Sequence, residues 1–318
     1  MAGELRGRVV VVAGASSGIG RATARRLGET HARVVLAARR GDLLDEVAAE
    51  VEAAGGEALA VPTDLTDPAQ LDRLVAAALE RFGRIDAWIA NAGVGIYGAF
   101  ERIPPEEFRR VVEVDFFAHV ESARRVLPLF RAQGGGRLVF VGSVASEAAA
   151  PLVSPYVAAK RALLGFAQSL REELHAEGVP IHVTTILPGS VDTPFFAHAR
   201  SHLEGDVPRP IPPLLPPARV ARAIVGVLAL DDPPSRRFVG NTGRFLAALS
   251  WTLPTAYVRL FARLLERVQR TRVPPLPPSA GSLFRPTPVG GGTRGGWIRL
   301  ARRRSLRRLL APLLPAGG

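Results

Sequence analysis

The sequence predicts an α/β protein with a doubly wound parallel sheet and helices on both faces. Short β-branched runs alternate strictly with helix-like segments from residue 8 to residue 187, which is typical of a parallel sheet with crossover helices. The strand-like runs are continuously apolar, as expected for strands that are buried on both faces. No repeat of fixed period is present, so neither a solenoid nor a propeller is indicated.

Seven segments are predicted to be strands. The first two read RVVVVA and RVVLAA, and both are rich in valine, which favours the extended conformation. In order, the predicted strands are 8–13, 33–38, 57–61, 85–90, 137–142, 181–187 and 237–239.

Helical spacing of apolar residues fills the intervals between these strands. Six prolines between residues 208 and 217 interrupt any regular pattern, so residues 194–217 are expected to form a loop. The predicted helices are 21–29, 42–54, 68–82, 105–131, 156–177 and 218–230.

The charge distribution separates a near-neutral body from a cationic C-terminal part. Residues 1–243 hold 27 basic and 28 acidic residues, whereas residues 244–318 hold 14 arginines and one acid, Glu266. We therefore predict a catalytic α/β domain over 1–243 and a basic extension over 244–318.

The composition excludes several classes of protein. The 318 residues include no cysteine, so disulfides, thiolate catalysis and cysteine-ligated metal sites are excluded. The first thirty residues lack the charged and apolar regions of a secretion signal, and no apolar run reaches eighteen residues. A cytoplasmic protein without a membrane-spanning helix is expected.

Lys160 is the only lysine among 41 basic residues, and it follows Tyr156 by about one helical turn. Lysine is a compact cation with an adjustable pKa, whereas arginine is a permanently charged planar fork, so arginine is not expected to substitute here. Residues four apart on a helix lie about 5–6 Å apart, and a nearby ammonium favours the phenolate. Such a tyrosine can exchange a proton with a carbonyl oxygen. The alternative is a surface helix that carries both residues without function.

A glycine-rich loop, Gly14-x-x-x-Gly18-x-Gly20, joins the first strand to the first helix. Glycines there let the backbone approach a pyrophosphate, and the helix N-terminus favours its negative charge. An acidic residue after the second strand would bind the ribose of NAD, but the chain has Arg39 and Arg40. A guanidinium suits a 2′-phosphate, so NADP(H) is favoured over NAD(H). The alternative is chance basicity in an arginine-rich chain.

Together these motifs resemble the short-chain dehydrogenase/reductase family. The resemblance covers roughly residues 5–243 and extends more loosely to 282–286 (SLFRP), which is similar to the end of a longer bacterial branch. It implies a Rossmann-type fold and hydride transfer between a nicotinamide and an alcohol or carbonyl. The matching residues are GASSGIG at 14–20, Asp64, Asn91-Ala92-Gly93, Ser143, Tyr156-x-x-x-Lys160, Pro188-Gly189 and Thr193.

The resemblance implies a role for each matched residue. Ser143 would hold the substrate carbonyl, Tyr156 would be the general acid or base, and Lys160 would bind the nicotinamide ribose and lower the tyrosine pKa. Asp64 would contact the adenine, Asn91 the ribose region beside it, and Val191 with Thr193 the carboxamide. The expected cofactor-binding residues are Gly14, Ser16, Ser17, Gly18, Ile19, Gly20, Arg39, Asp64, Asn91, Ala92, Gly93, Tyr156, Lys160, Pro188, Gly189, Val191 and Thr193.

Asp115 departs from the family pattern, which has asparagine within V-N-x-x-G where this chain reads VDFFA. The asparagine supports a water that links the lysine to solvent. An ionised aspartate has nearly the same shape but only accepts hydrogen bonds. Asp115 is therefore a candidate catalytic residue that is expected to pair with Lys160 and to alter the pH profile while activity survives.

Other candidates are weaker. His198 and His202 have the i, i+4 spacing of metal ligands, but no third ligand accompanies them, so no metal site is predicted. Tyr97 either lines the substrate site or packs. Five apolar residues lie where the family has a substrate lid, which suggests a hydrophobic substrate unless they pack on the protein itself: Phe195, Phe196, Ile211, Leu214 and Leu215.

The extension contains an amphipathic helix predicted over about 255–270, a proline- and glycine-rich linker, and an arginine-rich segment over 297–314. The first interpretation is that the helix packs on the catalytic domain or on a second subunit. The second is attachment to an anionic membrane at its inner face, because aromatic residues accompany the arginines. No nucleic-acid-reading module precedes the tail, so nucleic acid is disfavoured.

The sequence thus predicts an NADP(H)-dependent oxidoreductase acting on an alcohol or carbonyl, with an apolar or lipid-like substrate. A homo-oligomer is expected because the family is commonly dimeric or tetrameric. The alternative is a nucleotide-binding protein of the same fold, impaired at Asp115, that presents its tail to a membrane or partner. Retention of the only lysine argues against this alternative.

Overall fold

The structure, a computed structural model, describes residues 5–203, 208–255, 257, 259, 281–287 and 290–300. Most of the predicted helix 255–270 and most of the arginine-rich segment 297–314 lie outside these residues. Within them, a seven-stranded parallel sheet is covered by helices on both faces. The predicted Rossmann-type fold is therefore confirmed.

The sheet has the order β3-β2-β1-β4-β6-β7-β9, and every neighbouring pair is parallel. The chain order reverses between β1 and β4, and in open α/β sheets ligands bind beyond the carboxyl ends of the strands at such a point. A small parallel pair, β5 with β8, lies outside the main sheet and was not predicted. The strands are β1 (Val9–Ala13), β2 (Arg33–Ala38), β3 (Glu57–Pro62), β4 (Ala87–Ala90), β5 (Ile96–Tyr97), β6 (Gly136–Val141), β7 (Ile181–Pro188), β8 (Arg200–Ser201) and β9 (Arg236–Val239).

Nine α-helices lie within the described residues. They are α1 (Gly18–Gly28), α2 (Gly41–Ala53), α3 (Pro68–Phe82), α4 (Pro105–Val112), α5 (Ala118–Ala132), α6 (Ser154–Ala176), α7 (Phe195–His198), α8 (Pro217–Leu228) and α9 (Asn241–Thr252). Residues 105–131, predicted to be mostly one long helix, form α4 and α5 with a π-helical turn at Glu113–Phe117 between them, and this turn was not predicted. Helices α7 and α9 were not predicted.

The apolar strands divide their side chains between two cores. Along β1, Val10 and Val12 face the core formed with α1, α2 and α8, whereas Val9 and Val11 face the one formed with α3, α5 and α6. All four are at most 1% exposed. Because successive strand residues point to opposite faces, burial of both faces requires an uninterrupted apolar strand.

Part of the C-terminal extension packs on the body. Helix α9 contacts the region after β6 through Leu246 and Leu249, and Tyr257 is buried there. The Tyr257 hydroxyl donates a hydrogen bond of 3.0 Å to the Ala149 carbonyl. Residues 281–287 and 290–300 lie against the carboxyl edge of the sheet, where they contact the glycine loop and Thr193.

Candidate active site

A cavity of about 640 Å³ lies at the carboxyl ends of the strands, within the size range of small-ligand sites. The glycine loop forms one end, and Ser143, Tyr156 and Lys160 line the other. Every residue predicted to bind the cofactor lines this cavity except Gly20, and Asp115 lies behind its wall.

Gly20 acts through packing rather than by lining the cavity. A Cβ at this position would lie 2.0 Å from the Gly14 carbonyl oxygen and 2.7 Å from Asn91 Nδ2. Asn91 Nδ2 donates a hydrogen bond of 2.9 Å to the same carbonyl. Asn91 therefore ties the end of β4 to the glycine loop, and Gly20 leaves the space for this contact.

The glycine loop presents the N-terminus of α1 to the cavity. Ser17 occupies the N-cap position, but its side chain makes no capping hydrogen bond. The first-turn N–H groups of a helix lack intrahelical acceptors and carry the positive end of its dipole, so they favour an anion. A dinucleotide phosphate fits this end of the cavity.

The two arginines after β2 also line the cavity. Arg39 Nη2 donates to the carbonyl oxygen of Ser282 at 2.6 Å. Arg40 Nη2 donates to Ser16 Oγ at 3.1 Å, and its Nη1 lies 3.5 Å from the Thr287 carbonyl oxygen. Burial lowers the pKa of both guanidinium groups, although arginine remains charged in proteins. Their contact with the C-terminal segment was not predicted.

Asp64 is held by polar neighbours at the same end. It accepts hydrogen bonds from the Thr66 N–H and hydroxyl at 3.0 and 2.7 Å, and Arg110 Nη2 lies 3.3 Å away. Burial acts to raise the pKa of Asp64, but the Thr66 hydrogen bonds and the Arg110 and Arg39 charges outweigh it and lower the pKa below its ordinary value. Asp64 is therefore a stable carboxylate at neutral pH.

Tyr156 and Lys160 lie one turn apart near the start of α6, as predicted. Lys160 Nζ is 5.8 Å from the centre of the Tyr156 ring and donates to the Val141 carbonyl at 3.2 Å. Ser143 follows β6, and both Ser143 and Tyr156 line the cavity. The cavity therefore brings a serine hydroxyl, a phenol and an ammonium to one place.

The pKa of Tyr156 differs from the expectation. Burial raises it, the Asp115 charge raises it further, and the neighbouring Ser143 side chain lowers it only in part. The expected lowering is not found, because burial and the Asp115 charge outweigh the effects that lower the pKa. The phenol is therefore protonated at neutral pH.

Asp115 occupies the π-helical turn between α4 and α5 and is fully buried. Its Oδ1 accepts a hydrogen bond of 2.7 Å from the Val94 N–H, and its Oδ2 lies 3.5 Å from Lys160 Nζ. Burial raises the pKa of Asp115 to about 6, while the Lys160 charge and the Val94 N–H act in the opposite direction. Asp115 and Lys160 therefore form the expected ion pair, but the distance between Oδ2 and Nζ is longer than in a good hydrogen bond.

His119 is a site residue that the sequence interpretation missed. It is fully buried, and its Nε2 lies 3.0 Å from the Ala92 carbonyl oxygen, which fixes Nε2 as the protonated nitrogen. Burial and the Lys160 charge lower its pKa to about 3, so the ring is neutral. Its position four residues after Asp115 is the signal that could have revealed it.

The weaker candidates also have defined surroundings. His202 Nε2 lies 2.6 Å from Glu107 Oε2, whose other oxygen accepts from Arg200 Nε at 3.1 Å. Among the described residues, no group of three side chains could hold a metal ion.

Tyr97 is buried and also lines the cavity. The five predicted lid residues, Phe195, Phe196, Ile211, Leu214 and Leu215, all line the cavity as well.

Comparison with known proteins identifies the family. The family model for short chain dehydrogenases matches residues 8–204. The chain belongs to this family. The oxidoreductase YxnA of Bacillus subtilis, itself uncharacterised, is 33% identical over 300 residues, which cover 93% of this chain and 83% of YxnA. The unmatched part is smaller than the C-terminal extension, so most of the extension has a counterpart in YxnA.

Solved structures of other short-chain dehydrogenases share the fold. A 3-ketoacyl-(acyl-carrier-protein) reductase of Brucella melitensis, complexed with NADH, is 28% identical, with a TM-score of 0.65 over 74% of this chain and 97% of its own. An alcohol dehydrogenase of Thermococcus sibiricus, complexed with 5-hydroxy-NADP, is also 28% identical, with a TM-score of 0.64 over 73% of this chain and 95% of its own. The family membership makes this chain an oxidoreductase with a nicotinamide dinucleotide site.

A third relative has a more specific name. The 1-deoxy-11-beta-hydroxypentalenate dehydrogenase of Streptomyces exfoliatus is 40% identical over 194 residues, which cover 60% of this chain and 70% of that protein.

Within the part of the chain that the structure describes, every helix is too short or too polar to cross a membrane.

Proposed function

We propose that this chain is an NADP(H)-dependent oxidoreductase that interconverts an apolar carbonyl compound and its alcohol. The observation that carries the proposal is the convergence of Ser143, Tyr156 and Lys160 at one end of the cavity that begins at the glycine loop. The dinucleotide, when bound, supplies or accepts the hydride. The protein binds the reactants, orients them and handles the proton.

The side chains divide this work. Ser143 and Tyr156 each donate a hydrogen bond to the substrate oxygen, and Tyr156 gives its proton to that oxygen during reduction. Lys160 has three donors, of which one is bonded to Val141, so donors remain for the hydroxyls of a ribose. Because burial raises the pKa of Tyr156, the phenol is protonated at neutral pH and can act as the proton donor in reduction.

Arg39 and Arg40 support the choice of NADP(H). Both line the end of the cavity that follows β2. An acidic side chain, which would repel a 2′-phosphate and bind a free ribose hydroxyl, is absent from this position. Each guanidinium has five donors, and the contacts to the C-terminal segment and Ser16 use only some of them.

Calorimetric titration with NADPH and, separately, NADH tests the cofactor assignment. NADPH is expected to bind at least about tenfold more tightly, because one charge-assisted hydrogen bond contributes about 1.5–3 kcal/mol. Arg40→Ala should remove most of this difference by weakening NADPH alone. Arg25→Ala, which removes an exposed arginine on α1, is the matched control. Tighter binding of NADH would show that the arginines do not select the cofactor.

The apolar wall near Tyr156 supports a hydrophobic substrate. The Phe195 ring packs against the Tyr156 ring at 5.7 Å, and the Phe196 ring packs against Phe195 at 5.5 Å. In a series of methyl ketones, kcat/KM should rise about fourfold per added methylene, the equivalent of ~0.8 kcal/mol. A series in which the shortest ketone is used best would contradict the apolar assignment.

The extension supports a second proposal, contact with an anionic membrane surface at its cytoplasmic side. Around the end of α9, Phe245, Trp251 and Leu253 are 65%, 75% and 56% exposed, close to Arg244. Aromatic and basic residues together favour the lipid interface. Flotation with phosphatidylglycerol vesicles should carry the protein, and vesicles of phosphatidylcholine should not. A protein that stays unbound to both at low salt would contradict this proposal.

The division into a catalytic domain over 1–243 and an extension over 244–318, and the homo-oligomer, remain proposals. A homo-oligomer is supported by the family, in which dimers and tetramers are common. Sedimentation equilibrium of the full chain tests it, and a mass near the monomer's 33.9 kDa would contradict it. The impaired-protein alternative is disfavoured because the Ser143, Tyr156 and Lys160 side chains are assembled around one cavity.

A further inference from the structure

The C-terminal strap, defined as residues 281–287 and 290–300, lies along the cofactor cavity of the body. Ser282, Pro286 and Thr287 form part of the cavity wall. We propose that the strap holds the dinucleotide in place, so that the cofactor leaves slowly and only when the strap is released. This inference rests on the proposed function, since it requires that the cavity bind a dinucleotide.

At the adenine end, arginines of the body bind carbonyl oxygens of the strap. Arg39 Nη2 donates to the Ser282 oxygen at 2.6 Å, and Arg110 Nε donates to the Leu283 oxygen at 3.0 Å. Arg110 also contacts Asp64 at 3.3 Å. Residues from three parts of the chain therefore meet where the adenosine is expected.

Leu283 anchors the strap through its side chain. It is 1% exposed and packs in a cluster formed by Val94, Ile96, Ile103, Val111 and Val114. Its neighbour Phe284 is 56% exposed, with Arg110 6.0 Å from its ring. Because the leucine is buried and the neighbouring phenylalanine is exposed, the Leu283 side chain occupies a specific apolar pocket, called here the apolar seat.

The strap also contacts the glycine loop. The Gly18 N–H donates to the Gly292 carbonyl at 3.1 Å, and Arg21 Nη1 donates to the Gly291 carbonyl at 2.7 Å. Gly18 is the first residue of α1, which presents the phosphate-binding end of the cavity. The strap therefore crosses the cavity beside the phosphate site.

At the nicotinamide end, the strap binds the loop after β7. The Trp297 N–H donates to Asp192 Oδ1 at 2.7 Å, and its indole N–H donates to the Thr193 carbonyl at 3.2 Å. A Cβ on Gly295 would lie 2.3 Å from that Thr193 oxygen, so only glycine fits there. Because both ends of the strap are bonded across the cavity, the cofactor cannot be exchanged freely past it.

Two substitutions release the strap at opposite ends. Leu283→Ala empties the apolar seat, and Gly295→Ala forces the backbone away from Thr193. Phe284→Ala is the matched control for the first, because its side chain is exposed. Gly165→Ala is the control for the second, because a Cβ at Gly165 meets nothing within 4 Å.

The measurement is the rate at which NADPH dissociates from the full-length protein, followed by the loss of NADPH fluorescence after mixing with excess NADP⁺. We expect each strap variant to release NADPH at least about tenfold faster than the unaltered protein, because most effects of altered contacts fall on the dissociation rate. Both controls should stay within about twofold. Far-UV circular dichroism and thermal melting verify that the strap variants are folded.

The outcomes separate this inference from the proposed function. NADPH binding with equal dissociation rates in all variants would overturn the strap alone. Binding of neither NADPH nor NADH by any variant would overturn both proposals. Binding only after Leu283→Ala or Gly295→Ala would show that the strap blocks the cavity, which overturns its role in holding the cofactor.

Discussion

The two ends of the cavity are built in different ways. At the catalytic end, Tyr156, Lys160 and Asp115 lie on regular or π-helical elements, and the last two are at most 3% exposed. At the adenine end, Arg39 and Arg110 reach from the body to carbonyl oxygens of the C-terminal strap, more than 170 residues away in the chain.

This difference shows which kind of contact each end requires. The end of the cavity at Tyr156 is proposed to depend on the chemical identity of a few side chains, since neither a phenol nor a compact cation can be replaced by arginine or an apolar group. The adenine end depends on two long, partly buried arginines, Arg39 and Arg110, and on the position of main-chain carbonyl groups in the distant strap. Substitutions should therefore reduce turnover at the first end and cofactor retention at the second.

The largest effect is expected at Tyr156. Tyr156→Phe removes the proton donor, and loss of a general acid typically lowers the rate by about 10²–10⁴-fold. Steady-state kinetics with NADPH and a methyl ketone measure the change in kcat. Calorimetry should show that NADPH still binds, with a loss of affinity far smaller than the loss of kcat. Retention of more than a tenth of the activity would show that another group supplies the proton.

Substitution of Lys160 tests whether a positive charge is sufficient at this position or whether a compact ammonium group is required. Lys160→Arg keeps the charge but places a larger planar group in a site where the side chain is 4% exposed. We expect about 10²-fold loss of kcat/KM, as large as that of Lys160→Met, because a misplaced group is not rescued by its charge. An active Lys160→Arg enzyme would contradict the inference drawn from the only lysine.

Asp115 should change the pH dependence rather than abolish activity. Its native pKa of about 6 lies above its ordinary 3.8, so protonated Asp115 favours the folded state. The contribution of Asp115 to the free energy of unfolding is fully present below pH ~4 and is lost as the pH rises through about 6. The Tm of Asp115→Asn minus that of the unaltered protein should therefore increase from pH 4 to pH 7.

The same substitution should move the pH profile of alcohol oxidation. The Asp115 charge raises the pKa of Tyr156, so Asp115→Asn should shift the acidic limb of kcat/KM, where the rate rises as Tyr156 loses its proton, to lower pH. Glu101→Gln, at an exposed carboxyl, is the matched control. Identical profiles for Asp115→Asn and the unaltered enzyme would exclude Asp115 from the proton pathway.

The smallest effect is expected at Arg110. Arg110→Ala removes contacts to Leu283, Thr66 and Asp64, so NADPH affinity should fall about fivefold, with kcat nearly constant. Arg109→Ala, at the exposed neighbouring position, should leave affinity unchanged. A fall in kcat without a change in affinity would place Arg110 at the catalytic end instead.

The sequence predicted the sheet, and it predicted the spacing of Tyr156 and Lys160 on one helix, because both depend on local patterns. Continuous valine runs report burial on both faces of a parallel sheet, and the spacing of Tyr156 and Lys160 places them on one helical face. The π-helical turn at Glu113–Phe117 has no such signature, since the apolar spacing around it still reads as an α-helix. His119 was missed because its role depends on Ala92, which lies 27 residues away.

The strap could not be predicted for a related reason. It has neither helical nor strand periodicity, and its contacts join residues separated by more than 100 positions. The basic composition of the extension indicated contacts through its charges, whereas the strap binds the body through carbonyl oxygens, glycines, the Leu283 side chain and Trp297. The pKa of Tyr156 likewise depends on burial that sequence does not report.

The body recognises the strap mainly through its main chain, and this limits what natural variation can change. A carbonyl oxygen that accepts from Arg39 or Arg110 is present whatever side chain its residue carries. Substitutions at residues whose carbonyl oxygens make these contacts, such as Ser282, should therefore leave the contacts intact. Related chains should keep Leu283 and Gly295, two of the positions where a side chain, or its absence, decides whether the segment fits.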